Sequence, residues 1–379
     1  MGRGHVCHGD HEGTAMKFTS ERERILEPLQ AVIGVVERRQ TMPILANVLL
    51  SAKNGRLAIT ATDLEVELVA GGEVTVAVAG DITVPGRKFL DIVRALPDKS
   101  VVTFSLDGEK VTVKAGKSRF TLTTLPATDF PAVEEINPQL SFEVEQASLK
   151  RLIDKTHFAM AQQDVRYYLN GMLLESDGKM LRTVATDGHR LALCEMDLVT
   201  KSGIQQVIVP RKGVLELQRL IGNEGSVAVQ VGSNHIRVTI GDIRFTSKLI
   251  DGRFPEYGRV IPAAPPRLVR ADREALRRAL QRTSILANEK YRGIRLALKA
   301  NLIQLTAHNP EQEEAEEDVE VSYSGEEFEV GFNVNYLLDA LAAIDGVEVE
   351  LGITDANSSC LVRAPGGGPA RYVVMPMRL

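Results

Sequence analysis

Apolar residues recur along this chain in two rhythms that alternate with one another. Residues 17–37 open as a short strand and pass into a helix, with Ile25, Leu29, Val32, Ile33 and Val36 at helical spacing. Ser20 with Glu23 three residues on has the form of a capping box. Pro28 is expected to bend this helix or to mark its first turn. The same rhythm returns at 142–161 through Leu149, Leu152, Ile153 and Phe158. It returns again at 268–286 through Leu276, Ala279, Leu280 and Ile285. Between these stretches the pattern shifts to alternation. Strands are predicted at 47–52, 56–62, 65–70 and 74–78, with Asn54-Gly55 as a hairpin turn. Second helices follow at 88–96, 212–221 and 336–344. More strands follow the first of these, at 100–106, 110–115 and 119–125, with a turn at Asp107-Gly108. Each stretch of about 120 residues therefore predicts two helices and roughly eight strands, an α+β layout with helices packed on one side of antiparallel sheets.

The chain repeats itself at that period. TVPGRKFLDIVRAL (83–96) returns as IVPRKGVLELQRLI (208–221) and, faded, as GFNVNYLLDALAAI (331–344). Asp63 precedes Asp187 by 124 residues, and Asp187 precedes Asn309 by 122; Arg119, Arg244 and Arg371 are spaced by 125 and 127. Solenoid repeats run at roughly 20–50 residues, whereas a unit of this size can bury its own core. The expected organisation is three domains at 16–138, 139–264 and 265–379, with Pro138 and the PAAPPR segment (262–267) at the junctions. Residues 1–15 are Gly-rich and polar and read as a foreign or disordered extension; His5, Cys7, His8 and His11 within it are not taken as a metal site.

Composition narrows the class. Of 379 residues, 44% are hydrophobic and 25% charged, ordinary for a globular protein. No apolar run reaches the length of a membrane span, and the opening residues show no charged-then-apolar pattern that would argue for secretion. Three scattered cysteines form no disulfide framework, which points to the cytoplasm. The net charge of −5 argues weakly against a nucleic-acid partner, but the cations are concentrated on the helices. The first-helix set holds Arg22, Arg24, Lys150, Arg151, Lys155, Arg273, Arg277, Arg278 and Arg282; the second-helix set holds Arg87, Lys88, Arg94, Arg211, Lys212 and Arg219. A helix face biased this way in successive modules suits a surface that follows a phosphate backbone without reading bases. Acid gathers instead at 311–320, opposite in sign to Lys110, Lys114, Lys117 and Arg119 in the first module, which suits head-to-tail association.

With these residues in view, 16–379 closely resembles the bacterial DNA polymerase III beta subunits, the sliding clamps of replication. The resemblance rests on MKFT (16–19), TLPATDFP (124–131), QDVRYYLNGM (163–172), TVATDGHRLA (183–192), VIVPRKGV (207–214), FTSKLIDGRFP (245–255), NPEQEEAEE (309–317) and YVVMPMRL (372–379). It implies three DNA-clamp domains per chain. Two chains would close head to tail into a six-domain ring around double-stranded DNA, with helices inside and sheets outside. It implies a non-catalytic processivity factor with no cofactor and no metal. The implied partners are a second copy, duplex DNA, the polymerase catalytic subunit, the clamp loader, translesion polymerases, mismatch-repair proteins and ligase.

Residue by residue, the resemblance assigns DNA contact to Arg39, Arg87, Gln163, Tyr167, Tyr168 and Lys212, although Gln40 stands where the family pattern has Pro. It assigns a pocket for short peptides ending in Leu or Phe to Leu169, Thr186, Gly188, His189, Arg190, Leu191, Pro255, Arg259, Val260, Asn333, Tyr336, Val373, Val374, Met375, Pro376, Met377 and Arg378. The implied dimer interface sets Ile285 and Leu286 against Phe120 and Leu122. Its ion pairs would link Glu311, Glu313, Glu314 and Glu317 with Lys88, Lys110, Lys117 and Arg119.

Two other classes compete. A hydrolase would use Asp187, Gly188, His189 and Arg190, but it has no obvious nucleophile, and no phosphate-binding loop, zinc spacing or G-x-S-x-G elbow is present. A monomeric peptide-binding scaffold would show no self-association through the acidic run.

Overall fold

The computed structural model describes residues 15–36, 42–131, 135–200 and 204–378. Among them the first module runs β1 (Lys17–Glu21), α1 (Arg22–Val32), β2 (Asn47–Lys53), β3 (Arg56–Thr62), β4 (Val66–Glu73), β5 (Thr75–Val78), β6 (Gly80–Pro85), α2 (Gly86–Ala95), β7 (Val101–Asp107), β8 (Lys110–Ala115) and β9 (Ser118–Thr123). The second runs β10 (Leu140–Glu145), α3 (Gln146–Asp154), β11 (Gly171–Ser176), β12 (Met180–Thr186), β13 (Arg190–Asp197), β14 (Gln205–Pro210), α4 (Arg211–Leu220), β15 (Ser226–Val231), β16 (His235–Ile240) and β17 (Ile243–Lys248). The third runs β18 (Arg267–Asp272), α5 (Arg273–Thr283), β19 (Gly293–Lys299), β20 (Leu302–His308), β21 (Glu314–Glu320), β22 (Phe328–Asn333), α6 (Val334–Ala343), β23 (Glu348–Ile353), β24 (Cys360–Arg363) and β25 (Ala370–Val374). Modules two and three share one order of elements; β5 is an insertion in module one.

The strands form four sheets, ordered β5-β1-β7-β8-β9, β10-β15-β16-β17-β4-β3-β2-β6, β14-β11-β12-β13-β25-β24-β23-β18 and β21-β20-β19-β22. Both eight-stranded sheets cross a module boundary. The last strand of module two, β17, bonds to β4 of module one (Phe245 opposite Leu68). The last strand of module three, β25, bonds to β13 of module two (Val373 opposite Leu191). The compact units therefore do not follow the repeat: one holds residues up to Glu143 with Val227–Lys248, the other Val144–Ser226 with Leu249–Leu379. The same rule of pairing leaves two strands over. β9 is equivalent to β17 and β25, and β21 is equivalent to β4 and β13, yet each lies at the end of its sheet.

A repeated helix junction shows why the modules fold alike. The first residue of the first helix donates its backbone N–H to the residue just before the strand that follows the second helix: Arg22 to Ser100 at 2.9 Å, Gln146 to Gly225 at 2.9 Å, Arg273 to Val347 at 2.8 Å. Its side chain serves the end of the second helix. Arg22 donates to the carbonyls of Val93 (2.9 Å) and Arg94 (2.8 Å), Gln146 accepts from Gly222 N (2.8 Å), and Arg273 donates to Ile344 O. The final carbonyls of a helix lack intrahelical partners and carry the negative end of its dipole, so a guanidinium is well placed there.

That junction corrects the expected positive helix face. Arg22 and Arg273 are committed to helix ends. Arg151 and Lys155 both bind Asp345 (3.0 and 2.5 Å), Arg277 and Arg278 bind Glu274 (2.9 and 2.8 Å), and Arg282 binds Glu317. Neighbouring carboxylates neutralise much of the charge that the sequence concentrates on these helices.

Two local expectations also change. Ser20 is not an N-cap; it is the fourth residue of β1 and buried, and Glu21 takes the cap position without a side-chain bond. Glu23 accepts instead from Lys99 N at 3.0 Å. Its neighbours Phe18 and Arg22 explain the shift. Phe18 stacks on Phe104 (centroids 4.8 Å apart), which holds the chain extended through Glu21 until Arg22 can reach α2. Of the two expectations for Pro28, the first-turn position is not met: it lies inside α1 and is buried. The Asn54-Gly55 turn has positive φ at both residues (52° and 74°), the mirror-image geometry that tight hairpins favour. At the next predicted turn the pairing of Asp107 with Lys110 makes Gly108 and Glu109 the central residues.

Candidate functional site

The TD pairs that mark the repeat are turn chemistry. In the β12–β13 turn, Asp187 Oδ1 accepts from His189 N (2.9 Å) and Arg190 N (3.0 Å), while Thr186 Oγ1 donates to Arg190 O (2.6 Å). In the β3–β4 turn, Asp63 Oδ1 accepts from Glu65 N (2.9 Å) and Val66 N (2.7 Å), and Thr62 Oγ1 donates to Val66 O (3.0 Å). Asn309 Oδ1 accepts from Glu313 N at 2.9 Å. Such side chains mimic a backbone turn. This accounts for Asp187 without catalysis. The His189 ring stacks on Tyr336 (centroids 6.5 Å apart), and Cys194 is buried, which pushes its thiol up to about 11.

Beside this turn lies a cleft of about 210 Å³. Its floor is apolar: Leu191 and Val373 face each other across β13 and β25 and belong to a buried cluster with Leu173, Val184, Leu193, Ile208, Phe254 and Leu361. One wall is the 3₁₀ turn Tyr167–Leu169, which contributes Tyr168 and Leu169. Another is the segment after β17, which contributes Pro255, Glu256, Tyr257 and Val260. Thr186, Gly188, Arg190, Arg166 and Met375 complete the lining. Gly188 is required: its φ is 86°, and a Cβ there would stand 2.9 Å from Arg166 Nη1.

The arginines of the cleft are fixed by partners of their own. Arg190 donates to Asp187 Oδ2 (3.2 Å), Asp339 and Phe158 O (2.8 Å), and its guanidinium lies 4.7 Å from the centre of the Tyr336 ring. Arg166 binds Asp164 through two nitrogens (3.0 and 2.9 Å), which holds the Asp164 carboxyl down to about 2. The result is a mainly apolar slot with rigid polar edges, the form that seats a short peptide side chain by side chain.

Of the expected pocket residues, Leu169, Thr186, Gly188, Arg190, Leu191, Pro255, Val260, Val373 and Met375 line this cleft. His189, Asn333, Tyr336, Pro376 and Met377 belong to an adjoining shelf. Met375 N donates to His189 O and Met377 N to Gly331 O (both 2.9 Å), and Asn333 caps α6. Arg378 and Arg259 are exposed, Arg259 on Glu256 at 2.6 Å, and Val374 is buried. Arg166, Glu256 and Tyr257 line the cleft without having been singled out. Tyr168, expected at DNA, is half-buried, lines the cleft and packs on its apolar cluster, while Tyr167 is 57% exposed. Turn geometry sends adjacent side chains opposite ways, and the sequence does not say which goes inward.

Of the other expected DNA contacts, Arg39 lies outside the described residues. Arg87 is exposed in the first turn of α2 and donates to Val36 O (2.5 Å); Gln163 is exposed; Lys212 is half-buried. At the expected interface, Ile285 is 75% exposed and Leu286 half-buried; Phe120 is half-buried, whereas Leu122 is buried in its own sheet. Lys88, Lys110, Lys117, Arg119, Glu311, Glu313 and Glu314 are exposed, and Glu317 is bound to Arg282.

No helix among the described residues is long and apolar enough to cross a membrane. Three family models match in succession: the N-terminal domain of the DNA polymerase III beta subunit over 16–134, its central domain over 143–256 and its C-terminal domain over 258–378. The beta sliding clamp of Pseudomonas aeruginosa is 56% identical over 369 residues, and that of Escherichia coli K12 51% over 366, each covering 96% of this chain and all of the relative. A crystal structure of the DNA polymerase sliding clamp from Pseudomonas aeruginosa with ligand superposes with a TM-score of 0.94 at 55% identity, over 96% of this chain and all of that one. Another, of the Pseudomonas aeruginosa clamp bound to griselimycin, gives 0.93 with the same identity and coverage. The chain belongs to the DNA polymerase III beta-subunit family, the beta sliding clamps, processivity factors that are not themselves enzymes.

Proposed function

We propose that two copies of this chain close head to tail into a six-domain ring that encircles double-stranded DNA, slides on it and tethers the replicative polymerase. The pairing rule of the sheets carries this reading. In each chain β17 bonds to β4 and β25 to β13, while their equivalents β9 and β21 end their sheets. A second copy supplies the missing partner: β9 of one protomer beside β21 of the other, twice, closes the set and removes both open edges. The charges agree. β9 and its approach carry Lys117 and Arg119, with Lys110 on the neighbouring β8 and Lys88 on α2; β21 and its approach carry Glu311, Glu313 and Glu314.

The domains would run 16–138, 139–264 and 265–379, with helices toward the hole. DNA would meet Arg87, Gln163, Tyr167, Tyr168 and Lys212, with Arg39 added from outside the described residues. A lining in which many of the first-helix cations are paired with carboxylates binds a phosphate backbone weakly, and weak binding permits sliding. Retention is then topological. The cleft floored by Leu191 and Val373 would take short peptides ending in Leu or Phe from the polymerase catalytic subunit, the clamp loader, translesion polymerases, mismatch-repair proteins and ligase. The site of action would be the cytoplasm, at the nucleoid.

The test is retention. Protein loaded on nicked circular DNA is expected to co-elute with it through gel filtration and to be lost when the circle is linearised. Equal retention on both forms would mean adhesion, and the ring would be wrong.

A further inference from the structure

A line of charged side chains crosses the sheet beside the cleft, from the strand that carries part of its floor to one of its walls. Glu175 on β11 stands opposite Gln206 on β14 and Arg182 on β12, and Arg182 stands opposite Glu195 on β13. The side chains follow that register. Arg182 reaches Glu175 at 3.2 Å and Glu195 at 2.8 Å, Gln206 donates to Glu175, and Glu195 accepts from Arg371 on β25 at 2.6 Å. Two residues beyond Arg371 is Val373 of the cleft floor, and two further is Met375. At the other end Tyr257, in the wall segment, donates its hydroxyl to Glu175 Oε1 at 2.6 Å. Glu175 is 7% exposed.

Among the hydrogen bonds of the wall that carries Tyr257, most stay within the wall. Its backbone bonds are local, Tyr257 N to Pro255 O and Arg259 N to Glu256 O, and Glu256 pairs with Arg253 and Arg259 beside it. Ser359 Oγ reaches Val260 O at 3.0 Å. Tyr257 and Ile261 pack on the buried cluster of the cleft, and the Tyr257 hydroxyl adds a side-chain bond from the middle of this segment to β11. Burial pushes the phenol well above its ordinary range, so it stays a donor. A phenol hydroxyl that donates to a carboxyl group shielded from water and paired with an arginine forms one of the stronger hydrogen bonds.

We propose that Tyr257 is a positioning residue for the cleft: through Glu175 it locks the 255–260 wall to the same ladder that fixes β25, and so sets the width of the slot before a peptide arrives. This rests on the reading of the cleft as a peptide site. Pre-organisation of this kind acts mainly on the dissociation rate.

The test uses the full-length protein, a synthetic decapeptide ending in Leu-Phe, and the variants Tyr257→Phe and Glu175→Gln. Tyr257→Phe keeps the ring and removes the latch. It is expected to raise the peptide Kd about tenfold through a faster off-rate. Hydrogen exchange at 255–260 should quicken in the free protein, with the unfolding midpoint moved by less than about 3 °C. Glu175→Gln retains an acceptor for Tyr257 and is expected to lose less affinity than Tyr257→Phe. Wild-type affinity and exchange in Tyr257→Phe would overturn the proposal. So would weaker binding with unchanged exchange, because the hydroxyl would then touch the peptide itself. A wild-type protein that does not take the peptide would sink the peptide reading, and the exchange rates would still decide whether Tyr257 holds the wall.

Discussion

Replacing Ile285 and Leu286 together by alanine is expected to turn the dimer into monomers at micromolar concentration. Ile285 is 75% exposed on the 3₁₀ turn Ser284–Leu286, which packs beside β20 and β21. A large aliphatic side chain held in water next to an open strand edge is costly to a monomer and useful to an interface. Apolar anchors at the centre of an interface contribute about 2 kcal/mol or more each, so losing two should weaken association by roughly a thousandfold. The rim charges on 311–314 contribute less, because exposed pairs are screened. Leu286 is half-buried in its own protomer, so Ile285→Ala alone is the variant free of a folding effect. Sedimentation velocity reads the outcome. A dimer that persists in the double variant would move the interface away from this edge, and the β9–β21 pairing with it.

Repeat and turn chemistry were the most legible features of the chain. Thr62-Asp63 and Thr186-Asp187 recur because equivalent hairpins need the same backbone N–H groups satisfied. Asn54-Gly55 announces its turn because few residues accept positive φ twice in succession. The helices were legible in their apolar spacing, but the duties of their cations were not. Arg22 reads as one more basic residue on a polar face, and no local pattern tells that it serves carbonyls some seventy positions away. The same limit applied to the cleft. Its floor was anticipated through Leu191 and Val373, residues whose motifs carry the resemblance to the clamp family. Tyr257 and Glu175 escaped, because a bond between a loop tyrosine and a strand glutamate 82 residues away leaves no periodic trace. Nor did the repeat disclose that its sheets continue from module to module. Register between distant strands comes from packing, not from propensity.

Removing residues 377–379 is expected to abolish peptide binding while leaving the dimer intact. The end of the chain is laid along the cleft by two backbone bonds, Met375 N to His189 O and Met377 N to Gly331 O. Met375 lines the cleft, and the second bond lies two residues beyond it. Without Met377 the segment after Val374 keeps only the first bond, and Met375 loses its fixed place at the mouth. Methionine suits such a position because its unbranched, polarisable side chain fits different apolar partners, but it can do so only from an anchored backbone. A loss of at least about a hundredfold in affinity is expected, since the truncation removes contact surface and pre-organisation together. The fold should survive, because β25 ends at Val374 and its ladder with β13 and β24 is untouched. Fluorescence anisotropy with a labelled peptide ending in Leu-Phe, run beside sedimentation velocity, separates the two effects. Unchanged affinity in the truncated protein would place the peptide site elsewhere. Loss of the dimer would mean that the chain end supports the ring as well as the cleft.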